Sequence, residues 1–102
     1  MKRIFQETRG WPYVVIRTFS AGVHVGELVK QSASGKRVTL LSARRIWRWT
    51  GANTLSEVSL HGVGEGSRVS EVVPRIELTE AIEIIPCSPE AEQSLRGAGW
   101  AP

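Results

Sequence analysis

Aspartate is absent from this sequence of 102 residues, so all ten acidic residues are Glu, and Cys87 is the single cysteine. One thiol cannot form an intramolecular disulfide and is typical of a reducing compartment. The two histidines, His24 and His61, lie far apart in the chain, which argues against a zinc site with three or four ligands. No apolar run approaches the roughly 18 residues of a membrane span, and charges at the start argue against a signal peptide. We therefore expect a cytoplasmic protein with no metal, no cofactor and no membrane contact.

The length and composition predict one globular domain with one modest core. Hydrophobic residues make up 41% of the chain and charged residues 23%, which is ordinary for a folded protein. The pattern divides the chain into an N-terminal arm at residues 1–12, a single β-rich domain at residues 13–97 and a short tail at residues 98–102.

Positive charge is concentrated in the first half of the chain. Residues 1–50 contain ten Lys and Arg against two Glu, whereas residues 51–102 contain three Arg against eight Glu. A basic face would attract anions. Alternatively, basic strands lie beside acidic strands, or the basic patch of one subunit meets the acidic patch of another.

The hydrophobic pattern predicts short strands and two short helices. Alternating or β-branched runs indicate strands, and Thr54 and Ser88 are typical helix caps. We expect a β-rich α+β fold: a small twisted antiparallel sheet or an SH3-like, partly open barrel with two short helices. On the second strand, His24 lies between two valines and is expected to face away from them, exposed or against a partner. The predicted strands are residues 13–19, 23–30, 36–41 with a continuation, 75–78 and 81–85, and the predicted helices are residues 55–61 and 88–97.

A run rich in arginine and tryptophan, residues 42–49, is the main indication of function. Guanidinium groups and indole rings together hold flat anionic ligands such as a base with its phosphate. On a strand, Arg45, Trp47 and Trp49 would share one face, with Arg44, Ile46 and Arg48 on the other. The polar turn that follows could add hydroxyl and amide groups. The candidate ligand-binding residues are Arg44, Arg45, Trp47, Arg48, Trp49, Thr50 and Asn53.

Other interpretations of these residues remain open. The two indoles could fill the core or an oligomer interface, where Trp and Arg are also enriched. The turn before Thr54 could simply cap a helix. Cys87 could be a nucleophile at a helix N-terminus, or a small buried hydrophobic residue, as free cysteines commonly are. No catalytic set of nucleophile, base and orienting acid is evident, so we expect a protein that is not an enzyme.

Three segments, residues 13–26, 43–52 and 78–87, resemble a family of short phage and prophage proteins known only as a domain of unknown function. The resemblance runs from Tyr13 to about Leu95 and brings no assigned functional residues. It implies a small phage-type accessory protein in the host cytoplasm. Such proteins often inhibit host machinery or host defence, and some sequester nucleotide signals.

The combined expectation is a homo-oligomeric protein that binds and sequesters a small anionic nucleotide, such as a host anti-phage immune signal. In this sponge-like, anti-defence role, the arginines of the run would contact phosphates and its tryptophans would stack on the base. The alternatives are a DNA- or RNA-binding regulator that uses the same surface, and a structural or protein-inhibiting phage protein.

Overall fold

The structure is a computed structural model, and it describes residues 10–102. Most of the predicted arm at residues 1–12 lies outside the described residues. Within these residues the structure has six strands and two helices: β1 (Tyr13–Thr18), β2 (Val23–Gln31), β3 (Val38–Arg48), α1 (Leu55–His61), β4 (Arg68–Val69), β5 (Val73–Leu78), β6 (Ala81–Pro86) and α2 (Pro89–Gly97).

The six strands form one antiparallel sheet in the order β4-β3-β2-β1-β6, and β5 also pairs with β3. Strand β5 pairs with β3 on the side away from β2, whereas β6 lies beside β1 at the far end of the order, although only Thr79 and Glu80 connect β5 to β6. The sheet must therefore curl, and the Ala81 amide at the start of β6 donates a hydrogen bond of 2.9 Å to the oxygen of Lys36, just before β3. No ladder pairs β5 with β6 in residues 10–102, so the curl is not closed. The expected β-rich fold, with a twisted, partly open sheet and two short helices, is confirmed.

The sheet is buried on both faces, which explains the continuous apolar run of β1. Inside the curl, Val14 and Ile16 pack with residues of β3 and β5. On the outer face, Val15 packs with Val58 of α1 and Leu95 of α2. Neighbouring residues of β1 therefore contribute to two different cores, as the alternation of side chains along a strand requires.

The expectation that His24 is exposed was wrong, because only 1% of its surface is accessible. Val25 contributes to the outer core, so His24 is directed into the curl, where its register partner Ile16 is also buried. Its Nε2 lies 2.9 Å from the Ala21 oxygen. Because a carbonyl oxygen can only accept a hydrogen bond, Nε2 carries the proton.

Strand β3 includes most of the arginine and tryptophan run as a direct continuation of the predicted third strand. Its pairing with β2 shifts register around Gly26. A side chain at Gly26 would meet the Leu41 oxygen at 3.0 Å, so the two strands approach too closely for a larger residue. Both predicted helices are present, with Thr54 and Ser88 as their N-caps.

Candidate functional site

The two faces of β3 place the predicted ligand-binding residues in different environments. Arg44 and Ile46 are buried, whereas Arg45 and Trp47 alternate with them and are exposed. Arg48, at the end of the strand, is exposed as well. The predicted set is therefore divided, and only Arg45, Trp47 and Arg48 are freely accessible on β3.

Arg44 is hydrogen-bonded within the fold. Its guanidinium donates to the main-chain oxygen of Ser70 at 2.7 Å and to that of Leu95 at 2.8 Å. Two longer bonds, to the oxygens of Arg96 at 3.1 Å and Val69 at 3.3 Å, complete the set. The positive charge is placed at the C-terminal end of α2, where the helix dipole favours it. Arg44 thus joins β3, β4 and α2, and its donors are not directed to solvent.

Trp49 lies on the core-facing side of the chain and is not beside Trp47. It packs against the outer cluster that contains Ile46, and its Nε1 donates to the Ala52 oxygen at 3.1 Å. A shift in register between Ile46 and Arg48 interrupts the regular alternation here. The expectation that Trp47 and Trp49 share a face therefore does not hold.

Thr50 and Asn53 have local structural contacts. The Thr50 amide donates to Ser67 Oγ at 3.0 Å, and the Thr50 oxygen accepts from the Gly64 amide at 2.8 Å. The Asn53 amide donates to Glu57 Oε1 at 2.9 Å, at the start of α1. Thr50 holds the glycine-rich loop, residues 62–67, in place, and Asn53 supports the helix cap.

Trp47 instead contacts Trp100, which follows α2. The two ring centroids are 5.6 Å apart, and the ring planes are tilted by 31°. The Arg68 guanidinium carbon lies 5.2 Å from the Trp47 ring centroid and 5.6 Å from that of Trp100, which is cation–π geometry. The indoles remain 60% and 55% exposed, respectively. We call Trp47, Arg68 and Trp100, with the neighbouring Arg48, the Trp–Arg surface.

The charges of the Trp–Arg surface are not neutralised by the acidic side chains of residues 10–102. Arg48 and Arg68 are register partners on β3 and β4, an arrangement of like charges that is unfavourable by itself. Within residues 10–102, neither arginine forms an ion pair, whereas Arg17 pairs with Glu83 at 2.9 Å. Arg68 Nε is buried and has no hydrogen-bond partner among these residues. The surface therefore has uncompensated positive charge beside two accessible aromatic rings.

A groove of about 410 Å³ adjoins this surface, and Trp100 forms part of its wall. The glycine-rich loop lines one side, and the segment after α2 lines the other. Main-chain bonds from the Val69 amide to the Gly99 oxygen at 2.9 Å, and from the Ala101 amide to the Ser67 oxygen at 3.1 Å, hold this segment beside β4. Glu65 also lines the groove, and it is the one acidic residue in the lining formed by the described part of the chain.

Arg68 and Trp100 were not among the candidates selected from the sequence. Strand β4 has only two residues, too few to show an alternating pattern. Trp100 lies in the predicted tail, where an isolated bridge pairs it with Arg68. The available signal was the unusual number of tryptophans, four in a short chain. Their spacing along the sequence does not show which of them meet.

Arg45 lies on the face of β3 opposite Arg44, and it lines a different cavity together with its register partner His24. Burial is the main cause that lowers the pKa of His24, and the charge of Arg45 adds to the effect. Burial raises the pKa of the Cys87 thiol to about 12, so that this thiol stays protonated at neutral pH. Its partial burial against the outer core fits the interpretation of Cys87 as a small hydrophobic residue.

Neither a metal centre nor a membrane-spanning helix is found in residues 10–102. No group of three acidic, histidine or cysteine side chains there could hold a metal ion. No helix in that range is long and apolar enough to cross a membrane.

The fold and site define a small β-sheet protein with an exposed, positively charged aromatic surface. The chain belongs to the family described as Domain of unknown function (DUF6948), whose model matches residues 11–95. The match includes Trp47, Arg48 and Arg68 but ends before Trp100. Searches of curated proteins and of solved structures gave no match.

Proposed function

We propose that the protein binds a small anionic nucleotide at the Trp–Arg surface and withholds it without chemical change. The observation that carries this proposal is the contact of the Arg68 guanidinium with two indole rings that are each more than half exposed. A base can stack on an exposed indole, and the unpaired guanidinium groups nearby can meet phosphate oxygens. Both parts of a nucleotide therefore find complementary groups within one surface.

The adjacent groove supports a small ligand. Its volume of about 410 Å³ lies within the range of roughly 300–1,000 Å³ for small-molecule sites. Because Glu65 repels phosphate, the phosphates belong at Arg48 and Arg68, and the base or sugar belongs nearer the loop. A Glu65→Gln variant should therefore bind the same nucleotide up to about fivefold more tightly, as expected for one exposed charge.

Calorimetry against AMP, ADP, ADP-ribose and cyclic di- and trinucleotides tests the proposal. Trp47→Ala and Trp100→Ala should each weaken binding between about fivefold and a hundredfold, the range for loss of one stacking ring. Trp11→Ala is the matched control, since Trp11 is also exposed, at 49%, but lies outside the Trp–Arg surface. Absence of binding across the panel, or an equal loss in the Trp11 variant, would refute the proposal.

Salt dependence distinguishes a nucleotide from a nucleic acid as the ligand. A polymer releases many counterions on binding and weakens steeply with salt, whereas a ligand with two or three phosphates loses much less affinity. The protein could instead retard duplex DNA, single strands or RNA in a gel at low salt and bind no nucleotide in the panel. That result would favour the alternative function of a DNA- or RNA-binding regulator. The proposal that the ligand is a host immune signal depends on the family resemblance. The cyclic nucleotides and ADP-ribose in the panel test this part of the proposal.

We also propose that the protein self-associates through β6. Among residues 10–102 this strand has a neighbour on one side only, and Ile82 on it is exposed together with Phe19 nearby. Exposed apolar side chains beside an unpaired strand edge are a common basis for association between copies. Light scattering should give a mass above 11.2 kDa, which Ile82→Glu lowers and Val72→Glu does not. A wild-type particle of 11.2 kDa would contradict self-association.

A further inference from the structure

A second cavity, separate from the groove beside Trp100, opens where β2, β3 and β5 meet. It has a volume of about 300 Å³, at the small end of the usual range for ligand sites. Apolar walls come from Ala43 of β3 and from Val73 and Ile76 of β5. Polar groups come from His24 and Arg45, which are register partners on β2 and β3, and from Arg44 and Ser70. We call this cavity the β5 cleft.

Among the residues of the described range 10–102 that line the β5 cleft, one offers an available charge. Arg44 also lines it, but its guanidinium is bound to four main-chain oxygens. His24 is neutral at pH 7, because burial lowers its pKa below the ordinary value by more than the hydrogen bond to the Ala21 oxygen raises it. Arg45 is exposed and forms no ion pair with any carboxylate of residues 10–102. A single cationic group beside hydrocarbon walls suits a ligand with one negative charge and an apolar body.

We propose that the β5 cleft binds a small monocarboxylate with an apolar chain. The Arg45 guanidinium pairs with the carboxylate, and the chain contacts Ala43, Val73 and Ile76. Arginine presents a planar set of donors that matches a carboxylate, and hydrocarbon burial adds affinity with each methylene. This site does not depend on the Trp–Arg surface, since no residue of that surface lines the cleft.

The two histidines provide an internal test on the intact wild-type chain. Titration with acetate, butanoate and hexanoate, followed by the imidazole resonances in an NMR spectrum, should shift the signals of His24 in the cleft wall. His61 is exposed at the end of α1 and should not respond. Affinity should rise about fourfold per methylene between butanoate and hexanoate. Equal shifts of both histidines, no shift of His24, or affinity that does not depend on chain length would overturn the proposal.

Charge recognition has its own controls. 1-Hexanol has the same chain without the carboxylate and should bind about tenfold more weakly than hexanoate, as should hexanoate to Arg45→Ala. Arg48→Ala is the matched control, because Arg48 is exposed on the same strand but lies outside the cleft, and it should bind hexanoate normally. Equal binding of hexanol and hexanoate, or equal losses in the two arginine variants, would disprove the role of Arg45. Trp47→Ala should leave hexanoate binding unchanged, so the nucleotide proposal and this one can fail separately.

Discussion

Arg44 Nη1 donates a hydrogen bond of 2.8 Å to the main-chain oxygen of Leu95, which ties the long strand β3 to the last turn of α2. An arginine selected from the sequence as a phosphate contact therefore serves the fold instead. Three further bonds from the same guanidinium reach β4, the residue after it and α2. The consequence is that a substitution here should affect stability more than binding.

We expect Arg44→Met to lower the free energy of unfolding by about 3 kcal/mol or more. The long apolar side chain fills the space but leaves four main-chain oxygens without their donor, and buried unsatisfied acceptors are costly. Arg48→Met, at an exposed position of the same strand, should change stability by less than about 0.5 kcal/mol. Urea unfolding of both variants measures the difference. Similar stabilities would show that the Arg44 bonds contribute little.

The contrast between Arg44 and Arg45 shows how far the sequence could predict this site. Alternation along a strand correctly placed these two residues on opposite faces, because the period of side chains is two. It could not show that α2 covers the face of Arg44, since this contact joins residues far apart in the chain. For the same reason, His24 was expected to be exposed, although the curled sheet covers its face as well.

Local signals predicted local structure well. The caps Thr54 and Ser88 lie at the helix starts, as expected, because a capping side chain bonds amides only a few residues away. The partnership of Trp47 with Arg68 and Trp100 depends instead on pairing of β3 with a two-residue strand and on the path of the chain after α2. Neither feature has a periodic signature, so the site was predicted only in part.

The contact between Trp47 and Trp100 should contribute to stability as a pair. A double-mutant cycle with Trp47→Ala and Trp100→Ala should give a coupling energy of about 1 kcal/mol, typical of a tilted aromatic pair. The control cycle combines Trp47→Ala with Ile82→Ala, on a strand three positions away in the sheet order, and should show no coupling. Additive effects of the two tryptophan substitutions would contradict the ring contact.

Gly62 ends α1 at a position that requires glycine for two reasons. Its φ of +83° is one that other residues rarely adopt, and a Cβ there would overlap Ser94 of α2. We expect Gly62→Ala to destabilise the protein by about 3 kcal/mol, through backbone strain and overpacking between the helices. Gly97→Ala is the control, because a Cβ at Gly97 meets nothing within 4 Å. Thermal unfolding should show a large decrease for Gly62→Ala and no decrease for Gly97→Ala.

His24 should make the stability of the protein depend on pH. Burial lowers the pKa of this imidazole below its usual value of 6.5 in the folded state, whereas the unfolded chain retains the usual value. Between these two pKa values the unfolded state binds more protons, so the free energy of unfolding falls as the pH falls below about 6.5.

Urea unfolding at pH 7.5 and pH 5 should therefore show a larger loss of stability for the wild type than for His24→Gln. His61→Gln, at an exposed position, should behave as the wild type does. A titration of the His24 resonance with a midpoint above 6.5 would contradict this account, because a buried imidazole next to Arg45 must resist protonation.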